Sequence, residues 1–173
     1  KNGYFMGSRS YIPLEGINKV EIKLLTQTKI GDFESSAGGE VNFNDVNVEL
    51  GAGYVTADGA KYTGKVNVFA TYLDPLAEDI SLTMPGSLRA ASEEGETFLK
   101  TFGMIGLELK DNSGNMLQLS EDNIAELSMP IPSAMSASAP ESIPLWFFDD
   151  EKGYWIEEGS AEKIDGKYVG SVK

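Results

Sequence analysis

Acidic and aromatic side chains are the residues of this 173-residue chain that could do chemistry, because the sequence contains no histidine and no cysteine. Histidine is the commonest general base and the commonest transition-metal ligand. Cysteine would be needed for a thiolate nucleophile, a zinc–thiolate site or a disulfide framework. A serine hydrolase triad is also excluded, since no serine can have a histidine partner. The chemistry left to consider is that of carboxylates, amides and aromatic rings.

Two acidic stretches lie at a predicted C-terminal hairpin, Asp149-Asp150-Glu151 in its turn and Glu157-Glu158 after its second strand. Glycoside hydrolysis needs two carboxyl groups about 5–9.5 Å apart across a cleft. Spacing along the sequence does not set that distance, and charged residues also protect edge strands from aggregation. We therefore predict that the chain is not an enzyme and has no catalytic residue. A carboxylate-dependent glycoside hydrolase is the less favoured alternative.

Oxygen ligands suited to calcium are grouped in two predicted turns. Calcium takes about 6–8 oxygen ligands, which often come from one loop. The candidate metal ligands are Asp111, Asn112, Asn115, Asp149 and Asp150. The same residue types favour tight turns in the absence of a metal. We therefore predict no required cofactor and retain calcium as the ion that these turns could bind.

Five aromatic residues lie on two short segments of the C-terminal hairpin, and Phe147 is one of them. Cross-strand aromatic pairs stabilise a hairpin by about 0.2–1 kcal/mol each, which favours a packing role. The alternative is an aromatic platform that stacks on sugar rings or binds a partner domain. The candidate ligand-binding residues are then Trp146, Phe148, Tyr154 and Trp155.

Period-two alternation of apolar residues is the main structural signal, as in Val20, Ile22 and Leu24. Turn-forming pairs such as Asp58-Gly59 and Asp165-Gly166 separate the alternating runs. We predict strands over residues 19–25, 65–72, 104–109, 116–119, 125–131, 145–148, 154–156, 160–164 and 167–172. Gly86–Thr97 is predicted to be a loop. This pattern predicts an all-β fold, an antiparallel β-sandwich with additional C-terminal β-hairpins.

The chain carries 14 basic and 27 acidic residues, for a formal net charge of -13. That charge would repel nucleic acid and an anionic membrane surface. No apolar run approaches the roughly 18 residues of a membrane span. The predicted partners are therefore neighbouring domains of the same polypeptide, and a glycan or protein at the cell surface.

The central part of the chain resembles a known sandwich. Gly38-Gly39-Glu40-Val41 matches the paired glycines before its first strand, and Val66–Tyr72 and Ala125–Pro130 match later strands. On these residues, 38–132 is similar to the domain shared by ankyrins, netrin receptors and zona occludens proteins. The family's Pro-x-Gly-Ala turn is altered here to Leu50-Gly51-Ala52-Gly53-Tyr54.

A second resemblance covers nearly the whole chain. Asp74-Pro75, Met84-Pro85-Gly86, Ile143–Asp149 and Gly153–Gly159 look like stretches of bacterial exported proteins. Those proteins carry this sandwich after a carboxypeptidase regulatory-like domain. The last two stretches also resemble part of the animal cartilage intermediate layer proteins.

These resemblances imply a non-catalytic extracellular structural or adhesion-type module of a bacterial surface or secreted protein. They imply four regions: terminal strands like the end of a regulatory-like domain (1–30), the main sandwich (31–132), a Ser/Ala/Pro-rich connection (133–144), and aromatic hairpins packing on the sandwich (145–173). The implied location is extracellular or outer-membrane-anchored, after export by a leader outside this sequence. A carbohydrate- or calcium-binding module is the alternative function.

Overall fold

The computed structural model describes residues 3–92 and 95–172, and β-strands make up most of its regular structure. The strands are β1 Lys29–Glu34, β2 Gly39–Phe43, β3 Val46–Leu50, β4 Tyr54–Thr56, β5 Lys61–Tyr62, β6 Lys65–Leu73, β7 Arg89–Ser92, β8 Gly95–Phe98, β9 Met104–Lys110, β10 Met116–Leu119, β11 Ala125–Pro130, β12 Ser142–Asp149, β13 Tyr154–Ile164 and β14 Lys167–Val172. The helices are α1 Ile80–Thr83 and a 3₁₀ helix Ser133–Ser138.

The strands form two sheets. The first sheet has the order β1-β6-β9-β10-β4-β5, and the second has the order β2-β3-β11-β14-β13-β7-β8, with β12 pairing on β13. The pairings are antiparallel except between β13 and β7, which run parallel. The larger of two apolar cores draws on both sheets, so the predicted all-β sandwich is confirmed.

The core shows why period-two alternation is so informative in this chain. Val66 and Val68 of β6 are fully buried, and they meet Val48 and Leu50 of β3 in the same cluster. Glu49, between Val48 and Leu50, is exposed, as expected for a pleated strand. Asn67, between Val66 and Val68, is buried instead, and its amide donates to the Lys110 carbonyl and to Asn112 Oδ1. At the turn between β2 and β3, Asn44 and Asp45 have φ values of 47° and 62°. Both residues tolerate the positive φ that a two-residue hairpin turn requires.

A second, smaller core lies at one end of the second sheet. Tyr168 of β14 is buried there against Phe102 and Ile131, and its hydroxyl donates to the Pro140 carbonyl at 2.9 Å. Met135 of the 3₁₀ helix packs on this cluster. The segment predicted as a connection, 133–144, therefore contains this helix and the start of β12.

The C-terminal hairpins are part of the second sheet. β14 pairs with β11 over residues 125–130, and β13 pairs with β14. The reason is that β11 has a free edge once β3 is paired on its other side. The boundaries proposed for the four regions stay predictions.

Two local predictions were wrong. Residues 19–25 form no strand: among the described residues, the nearby Tyr4–Thr26 bridge lies outside this range, and Lys23 N donates to Leu82 O without forming a ladder. Gly86–Thr97 was expected to be a loop, but it contains β7 and β8. Glu93 and Glu94 lie outside the described residues. β7 forms because the 11-residue β13 extends past β14, and Trp155 and Ile156 then pair with Ala90 and Ala91.

Candidate functional site

The aromatic hairpin of β12 and β13 brings two of its candidate residues into a packed cluster. Trp155 is only 8% exposed, and its indole Nε1 donates to the Ser87 carbonyl at 2.9 Å. The Phe148 ring meets the Trp155 ring edge-on, with 5.4 Å between centroids. Gly86 leaves room for Phe148, since a Cβ there would lie 2.4 Å from the ring. These two aromatics stabilise the contact between the hairpin and the 84–88 segment.

The other two aromatic candidates, Trp146 and Tyr154, are half-buried. Phe147, which was not a ligand candidate, is 43% exposed. A sugar-stacking platform needs open ring faces side by side. Trp155 does not supply one, because its ring is enclosed. Glycan binding by Trp146, Phe148, Tyr154 and Trp155 stays a prediction.

The turn after β12 places two adjacent acids in different surroundings. Asp149 accepts backbone hydrogen bonds from Glu151 at 3.0 Å and Lys152 at 2.9 Å, and pairs with the Lys152 ammonium at 3.2 Å. The bonds from Lys152 lower the pKa of Asp149. Burial, with repulsion from Asp149 and Glu108, raises the pKa of Asp150.

The turn between β9 and β10 engages its own polar groups. Asp111 Oδ1 accepts from the backbone N–H groups of Ser113 and Asn115, both at 2.8 Å. Its Oδ2 accepts from the Asn115 amide at 2.8 Å. The hydrogen bonds from Asn115 lower the pKa of Asp111. Asn112 Oδ1 accepts from Asn67 Nδ2 at 3.1 Å.

Neither turn gathers a larger ligand set. Across residues 3–92 and 95–172, no group of three or more His, Cys, Asp or Glu residues is placed to hold a metal ion. Calcium binding at Asp111, Asn112, Asn115, Asp149 or Asp150 stays a prediction. In the same described part of the chain, no helix has the length and apolar character to cross a bilayer.

A polar cluster that the sequence did not reveal lies on the first sheet. Lys110 pairs with Glu108 at 2.9 Å and donates to Gln27 Oε1 at 2.8 Å, while Gln27 Nε2 donates to Glu108 at 2.6 Å. The Lys110 ammonium also lies 5.2 Å from the Phe69 ring centroid. Gln27 is more than 80 positions from its partners, so no local pattern could indicate the contact.

Gln27 anchors the base of an extended segment, which we call the N-terminal arm (residues 3–28). Its two ends are joined by hydrogen bonds from Phe5 N to Leu25 O at 2.8 Å and from Gln27 N to Gly3 O at 2.9 Å. Its middle lies on the body of the protein, where Arg9 donates to the Gly86 carbonyl and Ser10 to the Gly153 carbonyl, both at 3.0 Å.

The N-terminal arm carries most of the large apolar side chains that are exposed in the described residues. Ile17 is fully exposed and Ile12 is 79% exposed. The further exposed apolar residues of the arm are Met6, Tyr11, Leu14, Val20, Ile22 and Leu24. Exposed apolar residues that are concentrated in this way mark an interaction surface more often than scattered ones do.

The sequence of this chain is similar to one part of several much longer proteins. The chain is 30% identical to cartilage intermediate layer protein 1 of Mus musculus over 152 residues, which cover 80% of this chain and 12% of that protein. It is 26% identical to cartilage intermediate layer protein 2 of Mus musculus over 84% of this chain and 13% of that protein.

The protein from Sus scrofa, cartilage intermediate layer protein 1, is 30% identical over 59% of this chain and 17% of its own length. The chain thus spans about 9–17% of the length of the curated relatives it matches. No family model matches the sequence, and no solved structure matches the chain. The class defined by fold and similarity is a β-sandwich module like one part of the cartilage intermediate layer proteins.

Proposed function

We propose that this chain is a non-catalytic, extracellular structural or adhesion-type module of a bacterial surface or secreted protein. In this proposal it supports neighbouring domains of the same polypeptide, and the N-terminal arm forms the contact. A regulatory-like domain preceding the sandwich would supply the partner surface. Export by a leader, with or without anchoring to the outer membrane, completes the proposal.

The observation that carries this proposal is that residues 19–25 have the apolar alternation of a β-strand but pair with no sheet among the described residues. Val20, Ile22 and Leu24 recur at every second position, which is typical of a strand with one buried face. In the structure these side chains are 37–41% exposed and the segment forms no ladder. An apolar strand pattern of this kind is stabilised when a neighbouring sheet pairs with it and covers the face.

The similarity to large proteins supports a modular role. The matched relatives are about six to eleven times longer than the stretch they share with this chain. They are named for a layer of cartilage, which supports an extracellular location. The absence of His and Cys from the sequence supports a role without catalysis, because the commonest bases and nucleophiles are lacking.

Amide hydrogen exchange tests the role of the arm. We compare this chain alone with the longer polypeptide of the proposal, following residues 19–25. Alternate amides of this segment should become protected in the longer polypeptide, because they would enter a sheet ladder. Ile22→Asp should abolish that protection, since it places a charge on the apolar face.

Lys19→Ser is the matched control, because Lys19 lies on the opposite, polar face of the same segment. It should leave the protection unchanged. Equal exchange of residues 19–25 in both forms would contradict the proposed contact. A glycan that binds the isolated chain and is lost in Trp146→Ala would favour the carbohydrate-binding alternative instead.

A further inference from the structure

A shallow pocket lies at one end of the sandwich, where the β2–β3 turn, the end of β6 and the end of β11 meet. Its volume is about 450 Å³, within the range of about 300–1,000 Å³ that is typical of ligand pockets. It includes no residue of the N-terminal arm and does not depend on the function proposed above. Its lining residues are Asn44, Asp45, Tyr72, Asp74, Pro130 and Pro132.

The apolar part of the pocket consists of one aromatic ring and two prolines. Tyr72 is held in place by Gly103, where a Cβ would lie 2.8 Å from both Cε2 and the hydroxyl oxygen of the tyrosine. Among the described residues, no hydrogen bond occupies the Tyr72 hydroxyl. Burial and the nearby Asp74 carboxylate raise the pKa of Tyr72.

The two lining residues that carry charge, Asp45 and Asp74, are both acidic. In the described residues, neither Asp45 nor Asp74 pairs with a cationic side chain. Asp74 uses Oδ1 to accept from the Leu76 backbone N–H at 2.8 Å, which leaves Oδ2 open. The Lys167 ammonium nearby binds the backbone carbonyl of Asp45 at 3.0 Å. The net charge of -13 adds a long-range attraction for cations.

These features select a ligand by its chemistry. Two carboxylates disfavour an anion, and two are too few for the oxygen shell of calcium. A guanidinium group is planar, stacks on aromatic rings and donates several hydrogen bonds to carboxylates. Its apolar stem suits a surface that contains prolines. We propose that this pocket holds the arginine side chain of an extended segment from a partner chain.

Titration with small probes, followed by amide NMR shifts, tests the inference. N-acetyl-arginine amide should bind this chain with a dissociation constant of about 1–10 mM. The shifts should be saturable and centred on Asn44, Asp45 and Asp74. N-acetyl-citrulline amide has nearly the same shape without the charge, and it should cause no saturable shift. Equal binding of citrulline, or no saturable shift with arginine, would overturn the inference.

Two double variants distinguish binding by the pocket carboxylates from attraction by the overall negative charge of the protein. D45N with D74N should weaken arginine binding about tenfold. The control, E49Q with E126Q, removes two charges from exposed, paired positions on β3 and β11 and should change binding less than about twofold. An equal effect of both pairs would overturn the site.

Two further measurements test the ring and the specificity for arginine. Y72L removes the aromatic face and should also weaken binding, whereas Y72F removes only the hydroxyl and should retain most of it. N-acetyl-lysine amide should bind more weakly than the arginine probe, because an ammonium group does not stack on the ring as a plane. Equal affinity for lysine would overturn the arginine assignment.

Discussion

Asp149 and Asp150 are adjacent in one turn, yet their surroundings act on them in opposite directions. Asp149 is ionised easily because backbone N–H groups and Lys152 stabilise its charge. Asp150 stays exposed, but partial desolvation and the charges of Asp149 and Glu108 oppose its ionisation. The direction in which the pKa of an acidic turn residue shifts therefore depends on the groups around it. The residue type alone does not indicate that direction.

Replacing Asp150 tests this difference through the dependence of stability on pH. A carboxyl whose pKa is raised by folding favours the native state at low pH, and this contribution is lost as pH rises through the folded pKa. D150N should therefore raise the melting temperature at pH 7. The gain should disappear below pH 3.8, the ordinary pKa of the group. Calorimetry at a series of pH values measures both effects.

The neighbouring D149N variant is the matched control, and its sign should be reversed. Its lowered pKa contributes stability above the ordinary value, and that contribution is lost as pH falls through the folded pKa. D149N should therefore lower the melting temperature at pH 7 and have little effect at the acid end. Shifts of the same sign in both variants would contradict the assigned surroundings.

At the scale of elements, β3 is a strand of the second sheet whose side chains pack into the larger core between the two sheets. Leu50 lies at its end, is 2% exposed and packs in the cluster between the sheets. Leu50→Ala should lower the free energy of unfolding by about 2–5 kcal/mol, because it removes buried methyl groups and leaves a cavity. Urea denaturation followed by fluorescence measures the loss.

Ile164→Ala is the control for this core substitution. Ile164 lies on β13 of the same sheet but is exposed. Its replacement should change stability by no more than about 0.5 kcal/mol. If Leu50→Ala were equally mild, β3 would not be packed between the two sheets as described.

At the scale of the whole molecule, charge repulsion opposes folding. The ion pairs of the described residues lie mostly on the surface, where solvent screens them and each contributes little to stability. A net charge of -13 acts on the entire compact state. We therefore expect the long-range repulsion to outweigh the local pairs at low salt.

Salt titration tests this balance. Raising sodium chloride from about 0.01 M to about 0.15 M shortens the Debye length from about 30 to about 8 Å. The melting temperature should rise over this range, because screening weakens the repulsion more than it weakens short contacts. A falling melting temperature would mean that the surface ion pairs dominate. A larger rise in calcium chloride than in magnesium chloride would support the predicted calcium binding.

The sequence by itself determined the elements whose causes are local. Val66 and Val68 predicted a strand with one buried face, and they are buried in β6. Asp165-Gly166 predicted a hairpin turn, and both residues adopt the positive φ that such a turn needs. The all-β class followed because these signals depend only on residues a few positions apart.

Only the tertiary structure decided which segments of the chain pair with a neighbouring strand. Residues 19–25 have the same alternation as β6, yet they form no strand, because a ladder needs a neighbouring backbone. Residues 89–92 have no such pattern, yet they form β7 because β13 offers a free edge. The burial of Trp155 and the meeting of Asp45 with Tyr72 in one pocket also depend on distant parts of the chain. No local spacing could predict them.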